Sequence, residues 1–323
     1  MGDSQTLLSI DHVTKHYPVG SEQFGKQKLM VRAVDDVTFT IRRGETLGLV
    51  GESGCGKSTI GRIILNLEKP TDGTVWFDGR DISLLSRRET QAFRSKLQII
   101  FQDPYSSLNP RKSVASIIGE GMIIHGKTTR RERDDRVREY LQLVGLSEDH
   151  LTRYPHEFSG GQRQRIGVAR ALALDPDLIV ADEPVSALDV SIQAQILNLM
   201  IDLKEKLGLT YLFISHDLSV VEYISDRVAV MYLGKIVEFS EKTLLYADPL
   251  HPYTTALLSA VPAVGASKKT ERIVLSGDIP NPIFPPPGCR FHTRCPEAQD
   301  VCKKEEPPLE EKSGGRWCAC HFR

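Results

Sequence analysis

Gly51-Glu52-Ser53-Gly54-Cys55-Gly56-Lys57-Ser58 decides how this chain folds and what it handles. The eight residues fill every position of the phosphate-loop pattern, in which two glycines frame four residues ahead of Lys-Ser. The apolar run Leu47 to Val50 before them predicts a strand, and Thr59 to Leu67 after them predicts a helix, which is the context the pattern requires. Glycines allow the backbone to curl until successive N–H groups and a helix N-terminus face one point, where phosphate oxygens can be held. Lys57 adds a positive charge for the β- and γ-phosphates, and Ser58 offers a hydroxyl to Mg²⁺. With Thr59 in the first helical turn, the expected nucleotide contacts run without a break from Gly51 to Thr59.

A second phosphate signal lies far downstream. Leu178-Ile179-Val180-Ala181-Asp182-Glu183 is an apolar strand ending in two carboxylates, at the strand edge where α/β sheets bind ligands. Asp182 is the expected Mg²⁺ holder. Glu183 can take a proton from an attacking water and align it. Further strands are predicted at Leu7 to Val13, Val37 to Ile41, Thr74 to Phe77, Leu97 to Phe101, Tyr211 to Ile214, Val228 to Tyr232 and Lys235 to Phe239, with helical segments between many of them. That alternation predicts an α/β fold with a largely parallel core sheet. The early strands are closely spaced and carry a hairpin signal at Asp78-Gly79, which predicts an antiparallel flank.

The chain has 323 residues, with Lys+Arg 41 against Asp+Glu 42 and a net charge of -1, a balance that argues against a dedicated nucleic-acid binder. Its length exceeds what one hydrophobic core normally organises. Residues 1–102 and 166–262 read as an ATPase core with its antiparallel flank, 103–165 as a helical insertion and 263–323 as an extension rich in Pro and Cys, standing outside the core. The shift begins in the polar stretch Gly265 to Lys269. No apolar run reaches the ~18 residues a spanning helix needs, and no leader sequence is evident, so a cytosolic location is expected.

Phe158-Ser159-Gly160-Gly161-Gln162 resembles the signature of the ATP-binding cassette (ABC) family, about 20 residues before the Asp-Glu strand. The resemblance implies a RecA-like ATPase core and assigns further roles. Gln102 resembles the glutamine that contacts Mg²⁺ and water and relays to the helical insertion. Ser186-Ala187-Leu188-Asp189 resembles the D-loop, His216 the switch histidine that contacts the γ-phosphate, and Tyr17 the aromatic that stacks on adenine. It also implies a head-to-tail dimer in which ATP on one subunit is capped by Ser159, Gly160, Gly161 and Gln162 of the other.

His251-Pro252-Tyr253-Thr254 and Gly288-Cys289-Arg290-Phe291-His292-Thr293-Arg294-Cys295-Pro296 resemble the C-terminal region of oligopeptide/dipeptide permease ATPases, as does the loop from Phe101 to Arg111. This implies an importer: a heterodimer with a second ATPase, two transmembrane permeases and an extracytoplasmic solute-binding protein, with this chain peripheral on the cytoplasmic face of the inner membrane. Nickel chelates, glutathione or oligosaccharides are alternative cargoes, and a soluble ABC ATPase acting on nucleic acid or ribosomes is the alternative function. Cys289, Cys295, Cys302 and Cys320 are spaced C-x5-C-x6-C-x17-C, with Cys318 able to replace the last. In a reducing compartment they suit a [4Fe-4S] cluster, with Zn²⁺, for which His292 and His321 keep a mixed site open, or no metal or a disulfide as alternatives. Cys55 is expected to serve only as a small residue of the loop, though one open to oxidation or alkylation that would block ATP.

Overall fold

The computed structural model describes residues 6–19, 29–126, 129–261 and 273–323, and the polar stretch Gly265 to Lys269 falls outside them. In chain order the strands are β1 (Thr6–Val19), β2 (Leu29–Arg42), β3 (Thr46–Val50), β4 (Asp72–Phe77), β5 (Arg80–Asp81), β6 (Leu97–Ile100), β7 (Leu178–Asp182), β8 (Thr210–Ser215), β9 (Arg227–Tyr232), β10 (Lys235–Glu241), β11 (Glu310–Glu311) and β12 (Trp317–Cys318). The helices are α1 (Lys57–Ile64), α2 (Arg87–Lys96), α3 (Val114–Ile124), α4 (Arg130–Leu143), α5 (Gly160–Leu172), α6 (Val190–Leu207), α7 (Leu218–Ile224), α8 (Lys242–Ala247) and α9 (Pro252–Ser259). Two compact units share them: Met1–Leu7, Ile41–Thr46 and Arg80–Ile214 form one, and Leu8–Thr40, Leu47–Gly79 and Ser215–Arg323 the other.

In the unit that carries the phosphate loop, β1 and β4 pair antiparallel from Leu8↔Phe77 to Asp11↔Thr74, with β2 on the far side of β1. This is the expected antiparallel flank. A second set of strands holds β3, every residue of which is buried, parallel to β9 from Leu47↔Arg227 to Val50↔Val230. β9 turns into β10 through Leu233-Gly234, both at positive φ (44° and 85°), the backbone a two-residue hairpin of right-handed twist demands. The extension then adds β12 to β10, pairing Glu238↔Cys318 and Phe239↔Trp317, and β11 to β12. The described part of the extension, residues 273–323, is therefore not an appendage as expected. Phe291 and Cys318 are fully buried, because the apolar side chains between the prolines had core positions to fill.

In the other unit β6, β7 and β8 run parallel, in register from Leu97↔Leu178 and Leu178↔Thr210. Leu178, Ile179, Val180 and Ala181 are all fully buried, as a strand covered on both faces must be. Burying each of the three larger side chains stabilises the unit by roughly 2 kcal/mol. The insertion is helical as expected, and its helices start at hydroxyl caps: Ser113 accepts from Ser116 N–H, and Thr129 and Ser159 each form a capping box with Glu132 and Gln162. Asp175, in the turn after α5, accepts from Arg136 Nη2 (2.8 Å) and from the Tyr140 hydroxyl, tying α4 to that turn. No helix among the described residues is long and apolar enough to cross a membrane.

Candidate functional site

The phosphate loop follows β3 and ends in α1, as its sequence requires. Gly51 (φ 151°) and Gly56 (φ 111°) have no room for a side chain: a Cβ would stand 2.1 Å from Met231 O at the first and 2.1 Å from Ala33 O at the second. The loop is thus pinned between β9 and β2, and any larger residue would push it off both. Gly56 is also the N-cap of α1 and, being a glycine, supplies no side-chain cap to that helix. Lys57 is buried, and its Nζ donates to Gly51 O (2.7 Å) and Glu52 O (3.0 Å) of its own loop. Cys55 is buried as well, and desolvation pushes its thiol up against the opposing pull of Lys57. It is therefore shielded, contrary to expectation, since it faces the loop's interior, where its Sγ would stand 2.9 Å from a Cβ on Gly51.

Ser53 and Gly54 complete the loop, and Gly234 N–H donates to Cys55 O (2.9 Å), fastening it to the β9–β10 turn. Glu52 is held most heavily. Its N–H donates to the Tyr253 hydroxyl (3.0 Å) and its carboxylate accepts both arms of Arg294 (2.7 and 3.0 Å). Tyr253 belongs to a buried cluster with Tyr232 and Phe291, ring centroids 4.7 to 5.3 Å apart. Tyr17, the expected adenine contact, lies on β1 of the same unit. Its hydroxyl bonds Glu68, Lys15 Nζ sits 5.1 Å from its ring centre, and burial followed by Glu68 raises its phenol above the usual range. His216, exposed, stands between the end of β8 and Asp217, the N-cap of α7. A cavity of about 580 Å³, lined by Arg227, Phe239, Phe291 and Trp317 among others, contains no phosphate-loop residue.

The other unit carries the carboxylates. Asp182 ends β7 beside Ile214 of β8, and Glu183 follows with φ 48°, a left-handed backbone that is uncommon for Glu. Its N–H donates to Ile214 O (2.9 Å), which fixes the turn and leaves the side chain at the strand edge. Gln102, just past β6, donates Nε2 to Glu183 Oε2 at 2.8 Å, so two residues far apart in sequence come together at the ends of parallel strands. The loop after Gln102 is held on α5: the Arg170 guanidinium lies 5.6 Å from the Phe101 ring centre and donates to Ser107 O (2.5 Å), and the Arg163 guanidinium lies 5.0 Å from the Tyr105 ring centre. α5 begins at Ser159, whose Oγ accepts from Gln162 N–H (3.3 Å) while Gln162 Oε1 accepts from Ser159 N–H (3.0 Å). Gly160 and Gly161 pack against the D-loop and α6. A Cβ on Gly161 would stand 2.5 Å from Ile192 Cγ2, and one on Gly160 3.3 Å from Leu188 Cδ2. Asp189 caps α6 by accepting from Ile192 N–H (2.9 Å), and Gln193 Nε2 donates to Val185 O and Leu188 O (3.0 Å each).

Cys289, Cys295, Cys302 and Cys320 line one small cavity together with His292 and His321, whereas Cys318 sits on β12 opposite Glu238. Burial first, and the neighbouring thiols after it, push the Cys289 thiol up to about 11. Among the described residues, however, no three His, Cys, Asp or Glu side chains are gathered as a metal ion would need. The four thiols share a cavity but not a ligand shell, and a close-set tetrad is not what the chain presents.

Sequence reasoning did not single out Arg294, Tyr253, Glu68 or Gln193 for these contacts. The stretches holding Arg294 and Tyr253 stood out, but only folding reveals which backbone a long side chain reaches.

Residues 34–186 match the ABC transporter family, and residues 237–302 match the oligopeptide/dipeptide transporter C-terminal region. The oligopeptide transport ATP-binding protein AppF of Bacillus subtilis is 56% identical over 323 residues, covering 99% of this chain and 98% of its own. A putative peptide import ATP-binding protein of Brucella ovis is 55% identical over 97% of both chains. Among solved structures, the dimeric post-hydrolysis state of the ATP-binding cassette MJ0796 with ADP and Pi is 31% identical, covering 73% of this chain and 99% of that one, with a TM-score of 0.65. The likeness therefore spans both the phosphate loop and the C-terminal region, and the chain belongs to the ABC ATPases, as an ATP-binding subunit of the oligopeptide/dipeptide permease family.

Proposed function

We propose that this chain powers the uptake of oligopeptides or dipeptides, binding and hydrolysing ATP beneath two transmembrane permeases that a solute-binding protein supplies. The near full-length identity to the oligopeptide transport protein AppF, C-terminal region included, carries that reading. Gly51 to Thr59 hold the phosphates, Lys57 exchanging its loop carbonyls for phosphate oxygens. Ser58, Asp182 and Gln102 are the residues to hold Mg²⁺, which supplies charge neutralisation at the β- and γ-phosphates. Glu183 orients the attacking water and takes its proton, and the Gln102 amide steadies that carboxylate at 2.8 Å. His216 contacts the γ-phosphate and Tyr17 the adenine.

Ser159, Gly160, Gly161, Gln162 and Asp189 serve the nucleotide of a second, related ATPase in a head-to-tail heterodimer that closes on ATP and opens after hydrolysis. Residues 103–165 form the helical subdomain and 263–323 the transporter-type extension, with the chain peripheral on the cytoplasmic membrane face. The [4Fe-4S] cluster expected at Cys289, Cys295, Cys302 and Cys320 has their shared cavity in its favour and the lack of a gathered ligand set against it, so holding it would require the thiols to close in. Anaerobic purification with iron and sulfide analysis tests it, and an iron-free protein would remove it.

The decisive experiment is purification of the native membrane complex carrying Glu183→Gln. ATP binding is retained while turnover falls by roughly 10²- to 10⁴-fold. Wild-type turnover in that variant would displace Glu183 as the base, and recovery without permeases would overturn the importer.

A further inference from the structure

The sequence places a carboxylate, Glu52, in the second position of a loop built to collect anions. Left alone, that charge opposes phosphate binding. Glu52 is not left alone: Arg294 of the extension meets it with two parallel bonds, Nη1 to Oε2 at 2.7 Å and Nη2 to Oε1 at 3.0 Å. The arginine side chain is only 8% exposed and the glutamate 24%, so water screens the pair poorly. The guanidinium also lies 5.9 Å from the Tyr232 ring centre, and one bond from each of its Nη atoms goes to Glu52. The pairing raises the arginine further above its already high range.

The backbone of the same residue is committed too. Its N–H is taken by the Tyr253 hydroxyl and its carbonyl by Lys57 Nζ. Four residues before Arg294, Arg290 donates to Leu233 O (2.5 Å) and pairs with Asp35, bracing the turn whose Gly234 N–H holds Cys55 O. The extension thus reaches the phosphate loop by two routes, and only the Arg294 route touches a loop side chain.

We infer that Arg294 is a positioning residue for the ATPase reaction: through its fork on Glu52 it neutralises the loop carboxylate and fixes the first turn of the phosphate cradle. The inference rests on the ATP-hydrolysing reading above. Neutralisation acts on nucleotide binding and not on the proton transfer at Glu183, so loss of the fork separates KM from kcat.

The test is steady-state ATP hydrolysis by the intact membrane complex, with affinity for a fluorescent ATP analogue measured alongside, for Arg294→Gln, Arg294→Lys, Glu52→Gln and the Glu52→Gln/Arg294→Gln double variant. Arg294→Gln raises KM and weakens analogue binding about tenfold, with kcat within about twofold of wild type. Arg294→Lys, keeping the charge but not the fork, recovers part of the loss. Glu52→Gln removes the carboxylate that needs neutralising, so the double variant binds ATP better than Arg294→Gln alone. An unchanged KM in Arg294→Gln, or single effects that simply multiply in the double variant, overturns the inference. Should Arg294→Gln fail to assemble, the pair Arg294→Lys and Glu52→Gln decides on the same criterion. A wild-type complex that binds the analogue without turnover sinks the ATPase reading, while the affinity series still judges Arg294.

Discussion

Two helices of this chain begin at residues expected to meet phosphate, and they begin in opposite ways. α1 starts from Gly56, at φ 111° and with no side-chain cap. α5 starts from Ser159, closed by a reciprocal box with Gln162. Both termini carry the partial positive charge of a helix dipole. Only the second has an N-cap side chain bonded to a first-turn amide, whereas Gly56 has no side chain to give, which suits a loop that binds nucleotide on its own. The second already satisfies Gln162 N–H with the hydroxyl that the family signature assigns to a partner's nucleotide. A capped terminus of this kind engages phosphate by sharing or exchanging a hydrogen bond, and so costs little to leave empty. That difference suits the head-to-tail arrangement proposed above, in which α1 holds this chain's own nucleotide and α5 meets a second one only on closure.

The comparison breaks first at Lys57. Lys57→Ala removes the charge that anchors the β- and γ-phosphates and leaves two loop carbonyls without their donor. Charge-assisted bonds of this type contribute roughly 1.5 to 3 kcal/mol each, so ATP affinity falls about 100-fold in a nucleotide titration. A loss under threefold would mean that the loop amides alone suffice and that α1 and α5 differ less than their caps indicate.

Ser159→Ala sharpens the comparison at the other end. If Ser159 serves a partner's site, as proposed above, nucleotide affinity of the isolated chain stays within about twofold. The cap is lost, which costs about 1 kcal/mol of stability, and ATPase activity of the assembled complex falls about tenfold. Equal loss of affinity in the isolated chain would show α5 acting on the subunit's own nucleotide.

How much of this was legible in the sequence follows from how local each feature is. The phosphate loop is eight consecutive residues, and its strand, glycines and helix appeared where the pattern required, although α1 stops at Ile64, before the expected Leu67. β7 was readable because a strand covered on both faces must be apolar throughout. The Gln102–Glu183 bond was implied once both were placed at the ends of parallel strands. By contrast, the positive φ of Glu183 has no signature in residue type, and the Arg294–Glu52 fork joins positions 242 residues apart. The extension misled for a related reason: its prolines and cysteines signalled a separate piece, while the pairing of Phe239 with Trp317 that binds it to β10 depends on register alone.

A third helix start supplies the smallest and most specific effect. α9 is capped by an imidazole: His251 Nδ1 accepts from Tyr253 N–H at 3.1 Å, and the His251 N–H in turn donates to Glu238 Oε2 at 2.8 Å. Nδ1 can accept only while it carries no proton. Burial, with a smaller push from Arg323, lowers the His251 pKa to about 3 from an ordinary value near 6.5. Below 6.5 the unfolded chain therefore takes up a proton at this residue that the folded chain refuses, so stability present at neutral pH drains away as pH falls from 6.5 toward 3. The slope approaches about 1.4 kcal/mol per pH unit. Burial raises the Glu238 carboxyl, which works in the opposite direction just above its ordinary range, so the His251 contribution is isolated by difference. His251→Asn keeps a capping acceptor but cannot titrate. In denaturant titrations at a series of pH values, wild type should lose stability relative to His251→Asn steadily below pH 6.5, and parallel curves would show that this cap tolerates the proton. The three starts would then form one series: α1 left open for phosphate, α5 closed by a hydroxyl indifferent to pH, and α9 closed by a group that binds Tyr253 only when neutral.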